Sequence, residues 1–267
     1  VLTFRDFIAG FRNLDIVPSQ PVIVHASLSA FGTVHEGVQT LLDALISSFE
    51  TIIMPTFTYK TMIVPEVGPP DNGITYGSGK DRNQMAEIFD SDMPADSMMG
   101  VLAETLRNHP EAVRTSHPIL SFTGIHAKNL LAFQNTWEPL QHIQALIDVE
   151  GWVLLMGVDQ TVNTSIHYAE KLAGRKQFIR WALTPEGVVS CHGFPGCSQG
   201  FEQVTPFLEA YIRSIKLGEA FVHAVPLVNL MEVVCGMLKE DPFALLCNRE
   251  DCGRCNTVRA LVEASLN

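Results

Sequence analysis

The chain has 267 residues, enough for one large domain or two small ones, and 46% of them are hydrophobic against 18% charged. That composition excludes a disordered chain and allows a sizeable core. The formal net charge is −11, from 18 Lys and Arg against 29 Asp and Glu. Such a balance argues against a nucleic-acid partner and suits a cationic small molecule.

The longest apolar runs, such as Val153–Met156, are strand-sized, so no membrane span is expected. The opening Val1-Leu2-Thr3-Phe4-Arg5-Asp6 lacks the basic and long apolar regions of a signal peptide. With six cysteines in a chain of this length, the expectation is reduced thiols and a cytoplasmic location. No repeat, low-complexity tract or Gly/Ser linker divides residues 1–267, which are expected to form one α/β domain.

In chain order, Pro21-Val22-Ile23-Val24 reads as a strand. The spacing of Val38, Leu41, Leu42, Leu45 and Phe49 predicts a helix over Gly37–Phe49, and Thr51–Met54 follows as a second strand. This is the βαβ pattern of a sheet covered by helices. Phe57–Ser97 then breaks the pattern with a long irregular stretch rich in Pro, Gly and Met. It carries Glu66, Asp71, Asp81, Glu87, Asp90, Asp92 and Asp96 against Lys60, Lys80 and Arg82. Two readings stay open: a solvated insertion, or a pocket wall that attracts a cation. A helix over Met98–Asn108 comes next, and a short strand follows Pro118. Gly151–Met156 reads as a strand buried on both faces. Phe201–Ile215 and Asn229–Lys239 read as helices, with Ala220–Val225 a strand between them.

The segment Gly157 to Glu170 leaves the buried strand and opens a helix, with Asn163 or Thr164 a natural N-cap. Ligands gather at the carboxyl ends of such strands. His167 and Glu170, three apart, share one helical face. A neutral imidazole near a helix N-terminus can accept a proton while the carboxylate orients it. Position 174 is Gly, so Glu170 has no cation at i+4 and the imidazole is its expected partner. Ser27, Ser29 and Gly32, after His25, offer hydroxyls and N–H groups suited to phosphate, although an ordinary turn fits them too. Arg114-Thr115-Ser116-His117-Pro118 suits either a polar ligand lining or a structural turn. No Walker A or G-x-G-x-x-G sequence is present. Gly196-Cys197-Ser198-Gln199-Gly200 matches G-x-S-x-G by spacing, but no strand is expected to run directly into its serine.

Cys247, Cys252 and Cys255 have the C-x₄-C-x₂-C spacing of soft metal ligands, and Cys191, His192 or Cys197 could complete a tetrahedral zinc site. Free thiols are the preferred reading of this tail. No metal is assigned to the catalytic site.

Taken together, the blocks Val24–Leu28, Met99-Gly100, Arg114–Pro118, Glu138-Pro139-Leu140, Gly151–Gly157, Asn163–Glu170 and Gly196–Ser198 resemble, in order, the aminoglycoside 3-N-acetyltransferase family. The resemblance implies an α/β/α sandwich around a mostly parallel or mixed sheet, distinct from the common acetyltransferase fold. It implies acetyl-CoA as donor, the 3-amino group of a 2-deoxystreptamine aminoglycoside as acceptor, and a role in antibiotic resistance. Another amine metabolite is the alternative acceptor. By the same resemblance His167 and Glu170 are catalytic, and His25, Ala26, Ser27, Leu28, Ser29, Ser116 and His117 bind the coenzyme. Tyr59, Asp81, Asp159 and Asn163 are the candidates for holding the acceptor. Donors near Ser27 or Ser116 would serve the carbonyl oxygen under attack.

Overall fold

Val22-Ile23-Val24 is β-branched throughout and lies at the centre of a sheet in the computed structural model, which describes residues 1–266. Among the described residues the strands are β1 (Val22–Ala26), β2 (Ile52–Pro55), β3 (Met62–Ile63), β4 (Ala112–Arg114), β5 (Phe122–Ile125), β6 (Trp152–Met156), β7 (Phe178–Thr184), β8 (Gly187–Phe194), β9 (Arg213–Leu217) and β10 (Ala220–Pro226). Seven of them form one sheet in the order β4-β5-β2-β1-β6-β10-β9. Only β1 with β2 and β1 with β6 pair in parallel; the other neighbours are antiparallel, so the sheet is mixed.

Strand alternation divides the core into two layers. Val22, Val24, Leu154 and Met156 pack with the helices Phe4–Asn13, Val38–Ser48 and Gly100–Arg107. Ile23, Val153 and Leu155 pack on the other face with His142–Asp148, Thr164–Leu172, Leu227–Glu240 and Gly253–Leu266. The result is an α/β/α sandwich. None of the described helices is long and apolar enough to cross a membrane.

Two parts differ from the sequence expectation. Phe201–Ile215 is not one helix: only Phe201–Leu208 is helical, and Arg213–Leu217 is edge strand β9, paired in a hairpin with β10. The exposed Ser214 and Lys216 alternate with Ile215 and Leu217, a two-residue period that the preceding helical spacing masks. The Phe57–Ser97 stretch is pinned rather than free. Its strand β3 pairs with β7 in a second sheet, β3-β7-β8. Asn72 extends this grip, accepting from Ile179 N–H at 2.8 Å and donating to Ile179 O at 3.0 Å.

Candidate active site

Strands β1 and β6 run side by side, with His25 opposite Leu155 and Ala26 opposite Met156, so their carboxyl ends open together. Beyond them lies a cleft of about 1420 Å³. Its rim needs a glycine at 157, where φ is +68° and an added Cβ would sit 2.5 Å from that of Ala30. From Gly157 the chain reaches the helix Thr164–Leu172. Asn163 caps that helix, its Oδ1 accepting from Ser165 N–H at 3.1 Å while its Nδ2 donates to Gln160 at 2.9 Å.

His167 stands in the first turns of this helix and lines the cleft. Its Nδ1 donates to Oε2 of Glu170 at 2.8 Å, and its ring meets the edge of Phe201 at 4.6 Å between centroids. Glu170 is only 2% exposed, and its other oxygen accepts from Arg175 at 2.7 Å. A carboxylate paired with a guanidinium accepts only, so Nδ1 is the donor, and in the neutral form of the ring the lone pair is on Nε2.

Arg175 is the residue that sequence reasoning missed. The helix ends in a Schellman turn: Gly174 N–H donates to Lys171 O and Arg175 N–H to Glu170 O, both at 2.9 Å. Gly174, at φ +82°, turns the chain back, which brings the Arg175 side chain onto the carboxylate one turn earlier. Its Nη2 also donates to Pro242 O and Ala244 O. The cation expected to be lacking at i+4 is therefore supplied at i+5, beyond the helix.

Across the cleft, His25, Ala26, Ser27, Leu28 and Ser29 all contribute to the wall, as does the start of the Gly100–Arg107 helix. The hydroxyls of Ser27 and Ser29 lie 3.2 Å apart. His25 is buried, which lowers its pKa to about 4, and its Nε2 has no partner among the described residues. It is thus a neutral imidazole on the cleft wall with one buried nitrogen unpaired.

The Phe57–Ser97 stretch forms one side of the cleft, but its acidity mostly faces elsewhere. Of its seven acids Asp96 alone is on the wall, where its carboxylate accepts from Tyr59 N–H. Tyr59 shares this wall, and burial pushes its phenol up to about 12. The other charged groups here are basic: Lys60, Arg82, Arg180 and Arg254. Arg180 is buried over the rings of Phe178 and Phe194. Burial first, and then the charge of Arg254, lower it to about 10. Among the described residues neither Arg180 nor Arg254 has a carboxylate within ion-pair distance.

A model of the aminoglycoside 3-N-acetyltransferase family matches residues 23–239, a span that holds both strand ends and the His167 helix. The chain belongs to this family. Over 177 residues it is 31% identical to the SPβ prophage-derived aminoglycoside N(3′)-acetyltransferase-like protein YokD of Bacillus subtilis, covering 63% of this chain and 64% of that one. The match thus spans less than two thirds of YokD, and the same holds for aminoglycoside N(3)-acetyltransferase IX of Micromonospora chalcea at 62%. The fold matches that of aminoglycoside acetyltransferase AAC(3)-IVa with a TM-score of 0.78 at 22% identity, covering 97% of each chain. It also matches AAC-IIIb, whose structure is a binary complex with CoASH, with a TM-score of 0.71 at 20% identity, covering 90% of this chain and 97% of that one.

Four residues named from the sequence stand away from the cleft wall of this family member. His117 is buried in a turn, its Nδ1 accepting from Ile119 and Leu120 N–H at 3.1 and 2.9 Å. Ser116 beside it is exposed and, like His117, does not line the cleft, whereas Ser27 does. Asp159 is also exposed and caps a short 3₁₀ turn, accepting from Thr161 N–H at 2.9 Å. Asp81 sits exposed in the first turn of the helix Lys80–Gln84. Strand β8 ends at Phe194, with Pro195–Cys197 between it and Ser198, so no nucleophile elbow forms.

Proposed function

We propose that the protein moves the acetyl group of acetyl-CoA to the 3-amino group of a 2-deoxystreptamine aminoglycoside, in the cytoplasm, and so confers resistance. The observation that carries this reading is the His167 ring on the cleft wall, its Nδ1 held by Glu170 at 2.8 Å. Family membership supports the reaction class, and the CoASH complex of AAC-IIIb supports the donor.

The residues present fit the coenzyme. The cleft, at about 1420 Å³, exceeds the roughly 300–1,000 Å³ usual for one small ligand, so donor and acceptor can lie in it together. Ser27, Ser29 and the helix start at Gly100 offer hydroxyls and N–H groups to phosphate oxygens. Bound acetyl-CoA supplies a thioester carbonyl ready for attack by an amine.

The protein's own part is proton removal and placement. An aminoglycoside amine is largely protonated at neutral pH and has no lone pair until it loses a proton. Nε2 of His167 accepts that proton, directly or through water, and Glu170 stabilises the imidazolium formed; as the C–N bond forms and the C–S bond breaks, the proton can pass to the sulfur, which leaves as the thiol of CoA. Arg175 keeps Glu170 in place from behind. Asp96 is the carboxylate on the wall that can pair with a second amino group of the acceptor.

A second reading rests on Arg180 and Arg254: the acceptor amine carries an acidic group that meets these two guanidiniums. One experiment separates the readings. The protein is incubated with acetyl-CoA, a mixture of 2-deoxystreptamine aminoglycosides and a set of acidic amines, and the products are identified by mass spectrometry. Acetylated aminoglycoside is expected. Acetylation confined to the acidic amines moves the assignment to the second reading, and thiol release without any acylated amine overturns both.

A further inference from the structure

The helix Gly253–Leu266 is poorly held by apolar burial. Of its fourteen residues only Cys255 and Val258 are buried, and helices of this length depend on tertiary packing. Something else must fasten it. The Sγ atoms of Cys197, Cys247, Cys252 and Cys255 all lie within 4.8 Å of one another, in a cluster that is largely buried. We propose that these four cysteines bind one structural zinc ion, which staples the C-terminal helix to the loop after β8 that borders the active site.

Several features favour a metal over four idle thiols. A zinc ion with Zn–S bonds of about 2.3 Å would set the sulfurs about 3.8 Å apart, below the 4.8 Å that bounds their separations here. A cluster of several irons would hold them farther apart; a single iron would fit the same cage, but zinc is the usual ion of closed four-cysteine structural sites. Backbone N–H groups two residues after a ligand stabilise thiolate, and two such donors are present: Gln199 N–H to Cys197 and Arg249 N–H to Cys247. Four thiolates around zinc carry a net charge of −2, and two arginines of the C-terminal helix, Arg254 and Arg259, donate to the backbone of the loops that carry the cysteines. Arg259 donates to Cys247 O. Arg254 lies between two of the ligands in sequence.

The staple has a consequence for the cleft. Arg254 donates to Gly196 O at 2.8 Å and lines the cleft, as do Gly196 and Ser198 on either side of Cys197. A Cβ at Gly196 would lie 3.8 Å from Oε2 of Glu170. Fixing Cys197 and Cys255 on one ion therefore fixes the wall behind the His167–Glu170 pair. With all four positions taken by sulfur, the ion has no open site and no part in the chemistry. Of the other two cysteines, Cys191 is buried within β8 and Cys235 lies in the helix Leu227–Glu240, outside the cluster.

The test is elemental analysis of the full chain purified under reducing conditions without added metal. One zinc per chain is expected, retained in Cys235→Ser and lost in Cys252→Ser and Cys255→Ser. Should those variants fail to fold, wild-type protein titrated with a mercurial thiol reagent should release one zinc as four thiols react. The C-terminal helix should then become sensitive to protease. Cobalt exchanged into the wild type should show the visible spectrum of tetrahedral thiolate ligation. Protein without stoichiometric zinc, whether its cysteines are freely reactive, disulfide-linked or bound to iron, overturns the proposal.

Discussion

At the residue scale, two side chains reach the Glu170 carboxylate, His167 and Arg175. The His167 pair was legible from spacing, because residues three apart on a helix must be neighbours. Arg175 was not, because it lies beyond a helix stop and returns through a left-handed residue that spacing rules do not follow. Its side chain and that of Glu170 are both nearly fully buried. Breaking such a pair from one side leaves a charge stranded out of water, at a cost of about 3–5 kcal/mol. Arg175→Met should lower the urea-unfolding free energy by that amount, whereas a loss under about 1 kcal/mol would put the ion pair in the solvated class. Asp96 was present in the sequence as one acid among seven, and composition could not single it out. Asp96→Asn keeps an acceptor for Tyr59 N–H but removes the charge. It should raise the KM for an aminoglycoside about tenfold, equivalent to about 1.4 kcal/mol, and leave that for acetyl-CoA unchanged. An unaltered acceptor KM removes Asp96 from recognition.

At the element scale, the Schellman turn is the device that closes the site from behind. A Cβ at Gly174 meets nothing within 4 Å, so the cost of Gly174→Ala comes from φ +82° alone, about 1–2 kcal/mol. The variant should lose that much stability in denaturant titration and also lose turnover, as Arg175 shifts off the carboxylate. Unchanged values for both would show that the turn does not position Arg175. Elements whose pattern is uniform were readable: β1, β2, β6 and the helix Val38–Ser48 follow their apolar spacing. Strands β7 and β8 were not, because their hairpin carries Arg180, Ser190 and His192 among the apolar residues and so shows no clean period. Phe57–Ser97 was legible only as irregular. Its place on the cleft wall depends on pairing with β7, more than a hundred residues away, which no local pattern encodes.

At the scale of the whole molecule, three buried imidazoles set the response to acid. Burial holds His25 and His117 at about 4 and His142 at about 3, from an ordinary value of 6.5. A depressed folded pKa means that the unfolded chain takes up the proton first. Their stabilisation is complete above pH 6.5 and is lost as pH falls towards 4 and 3, each contributing about 1.4 kcal/mol per pH unit in that window. The urea midpoint should therefore drop between about pH 7 and about pH 5, and a flat midpoint would mean that these rings are already protonated in the fold.

Transfer of the acceptor amine's proton to His167 is the step on which the proposed reaction depends. It is tested most directly by comparing wild type with His167→Ala, reading thiol release from acetyl-CoA and, by calorimetry, coenzyme affinity. A kcat lower by about 10²–10⁴-fold is expected, with coenzyme affinity unchanged. Wild-type turnover in the variant would contradict it.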